Sequence, residues 1–446
     1  MAEHASFRLR SADDLRDEAR RLGLDIPFRE DVSALLEKAS IGGAKVANRL
    51  AVLPIEGADA EPSGAPSEST RRRYRRFASG GAGIILCEAA AVRADGRSNP
   101  SQLMLTEGTV GGFARLVEEI REAGKKEWGP GHSTLLVLQL THSGRFSKPE
   151  GTPRPLIVQN NPHLDPLHDL PPDTPLVSDD ELAAIGDDFV EAAGLAASAG
   201  FDGVDVKACH GYLISETLAA HSREDSRYGG PFENRTRLLL EIVRRVREEA
   251  PGLAVTSRLS ATDAVPFPYG FGMNPDEPER IDLTETKALV GLLARAGVRF
   301  LALSLGIPAW KPHFGRPYDK PLPGAKVPKE HPLEGVARHL WAATEIQRAA
   351  PGIAVIGAGY SWLRTFGPGV GAAMVAAGRS AAFALGRGAL AYPDFAADLL
   401  RRGRLSPRKV CTTCSLCSYL LRRQRRVGCV VRDTEFKNAV GEGSDA

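Results

Sequence analysis

The chain holds 446 residues, 43% of them hydrophobic, with a formal net charge of +2. That length buries a large core, and the near-neutral charge gives no reason to expect nucleic acid or a membrane surface as partner. The start, MAEHASFRLRSADD, carries charges where a signal peptide needs an apolar run, and no segment reaches about 18 apolar residues, so a cytoplasmic, soluble protein is expected.

Residues 1–45 read as an N-terminal extension, 46–400 as a βα barrel and 401–446 as a cysteine-bearing segment. In the extension, Ser11 caps a short helix carrying Leu15, Ala19 and Leu22, and IPFREDVSALL supplies another turn or two. Eight short apolar runs then alternate with helical segments: RLAVLP from Arg49, GIILCEA from Gly83, TLLVLQL from Thr134, DGVDVK from Asp202, LAVTSRL from Leu253, RFLALS from Arg299, GIAVIG from Gly352 and AAFALG from Ala381. That alternation is the signature of an α/β TIM barrel of eight parallel strands. One intervening helix is well marked, with a capping box from Ser178 to Glu181, apolar residues from Leu182 to Ala196 at helical spacing and a stop at Gly200. Three connections are too long for turns: Thr141 to Leu176, Ser260 to Ile281, and Leu305 to Glu334, the last carrying Trp310, Phe314 and Tyr318. Each follows a strand, so each belongs at the carboxyl-end face, as lid or pocket wall.

The stretch from Phe201 to Arg235 carries the chemistry. Val204 and Val206 mark a strand, and Lys207, Cys209, His210 and Tyr212 stand where it ends. A cation, an imidazole and a phenol so placed are suited to gripping an oxygen and supplying a proton. Gly230 and Pro231 read as N-cap and first residue of the next helix, with Phe232, Leu238, Leu239, Ile242, Val243 and Val246 on its buried face.

Of the six cysteines, Cys87 and Cys209 stand alone, while Cys411, Cys414, Cys417 and Cys429 follow the spacing C-x2-C-x2-C-x11-C. A close triplet with a distant fourth suits a 4Fe–4S cluster, with zinc as the alternative. The basic residues around it, from Arg401 to Arg426, read as a solvated face or a dock for an acidic partner.

VDVKACHGYL followed by YGGPFENR resembles the Old Yellow Enzyme family of flavin-dependent oxidoreductases, over Asn48 to Asp394 by eye. His210 and Tyr212 match the family pattern; Lys207 departs from it, standing where a His is usual. The resemblance implies FMN as cofactor and NADH or NADPH as electron donor. It implies hydride transfer from reduced flavin to the C=C bond of an α,β-unsaturated carbonyl compound, with Tyr212 as proton donor and His210 and Lys207 on the carbonyl. Cofactor contacts are implied at Pro54, Ile55, Glu56 and Ala89 around the ring, Gln139 and Arg258 on the pyrimidine side, and the loops Gly357, Ala358, Gly359 and Gly386, Arg387 on the phosphate. Glu56 departs from the usual small residue, and either lowers the flavin potential or pairs with Lys207. The cysteine tail resembles that of 2,4-dienoyl-CoA reductase and trimethylamine dehydrogenase, and the cluster is expected near the foot of the barrel, either exchanging electrons with a separate electron-transfer protein or standing as inherited structure. An amine dehydrogenase and a non-catalytic redox-sensing barrel are the rival readings; oligomeric assembly is open.

Overall fold

The computed structural model describes residues 3–440. Eight parallel strands form the barrel: β1 (Leu50–Val52), β2 (Ile84–Ala91), β3 (Leu135–Thr141), β4 (Gly203–Ala208), β5 (Ala254–Ser260), β6 (Phe300–Ser304), β7 (Ala354–Ile356) and β8 (Phe383–Leu385). Neighbours in sequence are neighbours in the sheet, and β8 pairs with β1 at Phe383 and Leu50. A parallel bridge between Ile356 and Ala382 closes the ring between β7 and β8. The expected TIM barrel is therefore observed, each of the eight apolar runs supplying one strand.

Strand alternation sorts the side chains. On β4, Val204, Val206 and Ala208 join the large core shared with the surrounding helices. The residues between them, Asp205 and Lys207, pair in register with Thr256 and Arg258 of β5, so they share one face. The barrel interior nearer the amino end is apolar: Ala51, Ile84, Leu86, Leu135, Val137, Phe300 and Ile356 pack together there.

The N-terminal residues do more than extend the chain. The Ser11-capped helix (Ala12–Arg21) and a turn at Ser33–Leu36 form as expected. Beyond them, Ala39–Ile41 and Ala44–Val46 form an antiparallel hairpin around Gly42 and Gly43, which the sequence reading missed. Ile41 and Val46 are buried against the apolar barrel interior, closing its amino end. Burying two such side chains contributes about 1.5–3 kcal/mol each.

Two cap assignments shift. Ser178 Oγ accepts from the Glu181 N–H, but the Glu181 carboxylate pairs with Arg93 rather than completing a capping box. Pro231, not Gly230, is the N-cap of Phe232–Glu249, because Gly230 is left-handed at φ +71°.

The three long connections converge at the carboxyl end, where Leu164, Val265 and Ile307, one from each, form a small apolar core with Phe146, Tyr269 and Trp310. Buried Arg145 pins the first of them by pairing with Asp165 and Glu216. Among the described residues no helix is long and apolar enough to cross a membrane.

Candidate active site

A cavity of about 340 Å³ opens at the carboxyl end of the barrel, lined by Pro54, Ile55, Glu56, Ala89, Gln139, Lys207, His210, Tyr212, Arg258, Ala358, Gly359, Gly386 and Arg387. Every expected ring, pyrimidine and proton-donor residue is brought to this one space. Gly357 is not: its N–H donates to Ser380 Oγ at 3.3 Å, inside the β7–β8 connection, so the loop offers Ala358 and Gly359 instead.

The strand ends position the polar groups. Gln139 Nε2 donates to Asp205 Oδ2 at 2.6 Å, deep in the barrel, and burial lifts the Asp205 carboxyl to about 6. Asp205, which sat unremarked between two valines in the sequence, thus fixes the amide of Gln139; strand alternation was the signal that could have found it. Arg258 Nη1 donates to the Pro54 carbonyl at 3.0 Å, while its buried Nε has no partner among the described residues. Donors of this kind at the edge of an apolar cavity fit an electron-rich heterocycle, with Pro54, Ile55 and Ala89 as apolar wall.

After β4 the backbone turns sharply, with His210 at φ +66° and Gly211 at φ +75°. A left-handed non-glycine residue costs about 1–2 kcal/mol. A Cβ on Gly211 would lie 2.9 Å from Ile307 Cδ1, so glycine allows the loop from β6 to close over the turn. The turn swings Tyr212 back so that Lys207 Nζ sits 3.2 Å from its ring centroid, while Phe146 stacks on it at 5.5 Å. Burial holds the Tyr212 phenol well above its usual range, the Glu56 charge adding to the effect. Burial also lowers Lys207 to about 8 and keeps His210 neutral, its Nε2 lying 2.7 Å from Ser304 Oγ.

Glu56 forms no ion pair with Lys207 among the described residues. Its carboxylate accepts from Ser98 Oγ and Asn99 Nδ2, each at 2.5 Å, and burial raises its pKa. Just beyond it, the Gly57 N–H donates to Glu88 at 2.5 Å, and Glu88 with Asp59 is held by Arg73 in a fully buried ion cluster. These residues, unmarked in the sequence reading, brace the turn from Pro54 to Gly57.

The four tail cysteines line the same cavity, at the carboxyl face rather than the foot of the barrel. The tail is stitched there by backbone and side chain: Asp319 N–H donates to Thr413 Oγ1 at 3.1 Å, Ser415 Oγ to the Lys320 carbonyl at 2.5 Å, and Val427 N–H to the Gly57 carbonyl at 2.7 Å. Arg72 and Arg76 grip Asp433. Part of the basic run is likewise paired inside the chain, with Arg401 on Glu127, Lys409 on Asp394 and Arg426 on Glu435. Burial pushes the Cys411 thiol up to about 12, and the neighbouring Cys417, Cys429 and Cys414 act in the same direction. Among the described residues no three His, Cys, Asp or Glu side chains close on a point as ligands of one metal ion.

Residues 35–270 match the model of the NADH:flavin oxidoreductase / NADH oxidase family. The chain belongs to this family. A relative, the NADH oxidase of Thermoanaerobacter brockii, is 28% identical over 387 residues, 86% of this chain and 53% of that protein. The NADPH dehydrogenase of Clostridium acetobutylicum is 30% identical over 246 residues, 54% of this chain and 68% of that one. In three dimensions the chain is similar to 2-naphthoyl-CoA reductase (TM-score 0.70, 21% identity, 91% of this chain and 58% of that one). It is similar also to histamine dehydrogenase from Rhizobium sp. 4-9 (TM-score 0.68, 21% identity, 92% and 53%). The chain thus spans about half the length of the Thermoanaerobacter relative, and the structural likenesses speak for the fold.

Proposed function

We propose that the protein is an FMN-dependent oxidoreductase that reduces the C=C bond of an α,β-unsaturated carbonyl compound. The observation that carries this reading is the convergence of Tyr212, His210 and Lys207 with Gln139 and Arg258 on one cavity. When bound, FMN supplies two-electron redox chemistry between NADH or NADPH and the substrate. Gln139, fixed by Asp205, and Arg258, with its free Nε, would hold the pyrimidine side; Gly359, Gly386 and Arg387 would hold the phosphate.

The remaining groups act on the substrate. Tyr212 keeps its proton at neutral pH and stands to deliver it from Oη to the carbon next to the carbonyl. Lys207, its charge retained below about pH 8, stabilises negative charge growing on the carbonyl oxygen. The contact between His210 Nε2 and Ser304 Oγ orients the imidazole; with Ser304 as the donor, Nδ1–H is the free donor. Phe146 stacked on Tyr212 keeps the phenol from swinging away.

The cysteines, as thiolates, suit an iron–sulfur cluster, which supplies one-electron transfer. The close triplet Cys411, Cys414 and Cys417 with the distant Cys429 is the spacing that favours a cluster over a single zinc ion. Oxidation of an amine is the competing reading, suggested by the likeness to histamine dehydrogenase. Lys207 opposes it, because a buried ammonium repels a cationic amine.

Anaerobically purified protein should release FMN on acid precipitation and contain about four irons per chain. A colourless protein that takes up no added FMN ends the reading. One zinc and no iron would make the cysteine site structural.

A further inference from the structure

The turn that presents His210 and Tyr212 is costly by itself, because two residues in succession, His210 and Gly211, are left-handed. Two supports hold it. In the first, the Gly211 N–H donates to Ser215 Oγ at 3.3 Å, and Ser215 Oγ donates to Asp263 Oδ1 at 3.4 Å. In the second, Ile307 packs on Gly211, and the Ile307 N–H donates to the Asp263 carbonyl at 3.2 Å. Both supports end on one residue of the connection after β5.

Asp263 is firmly set in its turn. Its N–H donates to the Phe271 carbonyl at 2.9 Å and its Oδ2 accepts from the Phe271 N–H at 3.1 Å, closing the loop from 263 to 271. Its neighbours tie that loop to the connection after β6: the Thr262 carbonyl accepts from the Gly306 N–H at 2.7 Å, and the Ala264 carbonyl from Trp310 Nε1 at 3.0 Å. Asp263 is 1% exposed, forms no ion pair among the described residues and does not line the cavity. Burial lifts its carboxyl to about 7, the Phe271 and Ser215 hydrogen bonds working against the rise and the Glu216 charge adding to it. A buried carboxyl without a cation is a costly way to fill space, so what it contributes lies in its hydrogen bonds.

We propose that Asp263 is a positioning residue for the proton donor, fixing the His210–Gly211 turn through Ser215 and Ile307 and so aiming Tyr212 Oη at the substrate. This rests on the reading of Tyr212 as the acid. Because Asp263 touches neither the cavity nor the groups expected on the flavin, its loss should disturb proton delivery and leave the other steps in place. Asparagine should serve nearly as well, since its amide oxygen accepts from Phe271 and its amide N–H donates to Ser215.

The test follows dithionite-reduced holoenzyme by stopped flow as it is reoxidised by an enone or, as a control that needs no proton on carbon, by dioxygen. Asp263→Leu should slow the enone reaction roughly 10- to 100-fold, raise its solvent deuterium isotope effect and leave the dioxygen reaction within about threefold. Asp263→Asn should stay within about threefold of native for both oxidants. Ser215→Ala should show the same selective loss at roughly 3- to 10-fold, and it carries the test if Asp263→Leu does not fold. In a Tyr212→Phe background neither Asp263→Leu nor Ser215→Ala should slow the enone reaction further. Equal slowing with enone and dioxygen, an Asn variant as impaired as Leu, or additive slowing in the Tyr212→Phe background would overturn the proposal. Failure of the acid reading shows separately, as native enone reoxidation in Tyr212→Phe alone, and would take the proposal with it.

Discussion

The two ends of the barrel are built from opposite material. At the amino end a hairpin seats Ile41 and Val46 on an apolar interior that reaches up through Ile84, Leu135 and Phe300. At the carboxyl end the next inward-facing residues are Gln139, Asp205, Lys207 and Arg258, all buried. Only about two strand residues separate an environment in which charge is prohibitive from one in which Gln139, Lys207 and Arg258 share a cavity with Asp205 beneath them. The difference teaches how one barrel divides labour: the lower layers supply rigidity, and the strand ends spend it on holding costly polar groups in place.

The largest effect expected at the upper end is that of Tyr212→Phe. The ring, its stacking on Phe146 and the Lys207 contact all survive, and only the donatable proton is lost. Flavin reduction by NADH or NADPH should persist, while turnover with an enone slows by roughly 10²–10⁴. Stopped-flow measurement of the two half-reactions decides it, and native reoxidation by the enone would remove Tyr212 from the role.

At the lower end Ile41→Ala should do the reverse. Ile41 is 1% exposed and is not itself among the residues lining the active cavity. Its truncation should cost about 2–5 kcal/mol in denaturant unfolding while leaving kcat within about twofold of native. A large loss of activity with unchanged stability would mean that the two ends are not separable.

The barrel was legible because each strand is an apolar run bounded by turn residues, a local property. The hairpin was not recognised, since its strands are only three residues each; the Gly42–Gly43 pair between them was the available signal. The expected ring and proton-donor residues meet in one cavity because they sit at strand ends, where topology alone dictates convergence. Gly357 lies outside that lining for a finer reason: its amide is taken by Ser380, a partner 23 residues away that no motif announces. The cysteines were placed at the wrong end. Their spacing specifies a ligand set, but the position of that set depends on Thr413, Ser415 and Val427 bonding to distant backbone, which local pattern does not encode.

Asp205 sharpens the boundary between the two layers, being fully buried where it holds Gln139. Asp205→Leu would extend the apolar layer upward and strand the Gln139 amide, so FMN should bind about 10- to 30-fold more weakly. Asp205→Asn keeps an acceptor and should stay within about threefold of native. Equal loss in both variants would show that charge, not the positioning of Gln139, is what the site needs.

The smallest effect concerns pH. Lys207 is held at about 8 by burial, below the usual lysine range, so its ammonium is present below that pH and lost above it. Three of its neighbours are shifted out of that window. Tyr212 is held well above 10, Cys209 is pushed up to about 11, and His210 is already neutral. Affinity for a carbonyl ligand should therefore be level from pH 6.5 to about 7.5 and fall by up to tenfold at about pH 9, following the fraction of charged lysine. Lys207→Met should bind the ligand weakly at every pH and show no such step. A step that survives in Lys207→Met would assign the titration to another group, leaving the lysine as packing beneath the Tyr212 ring.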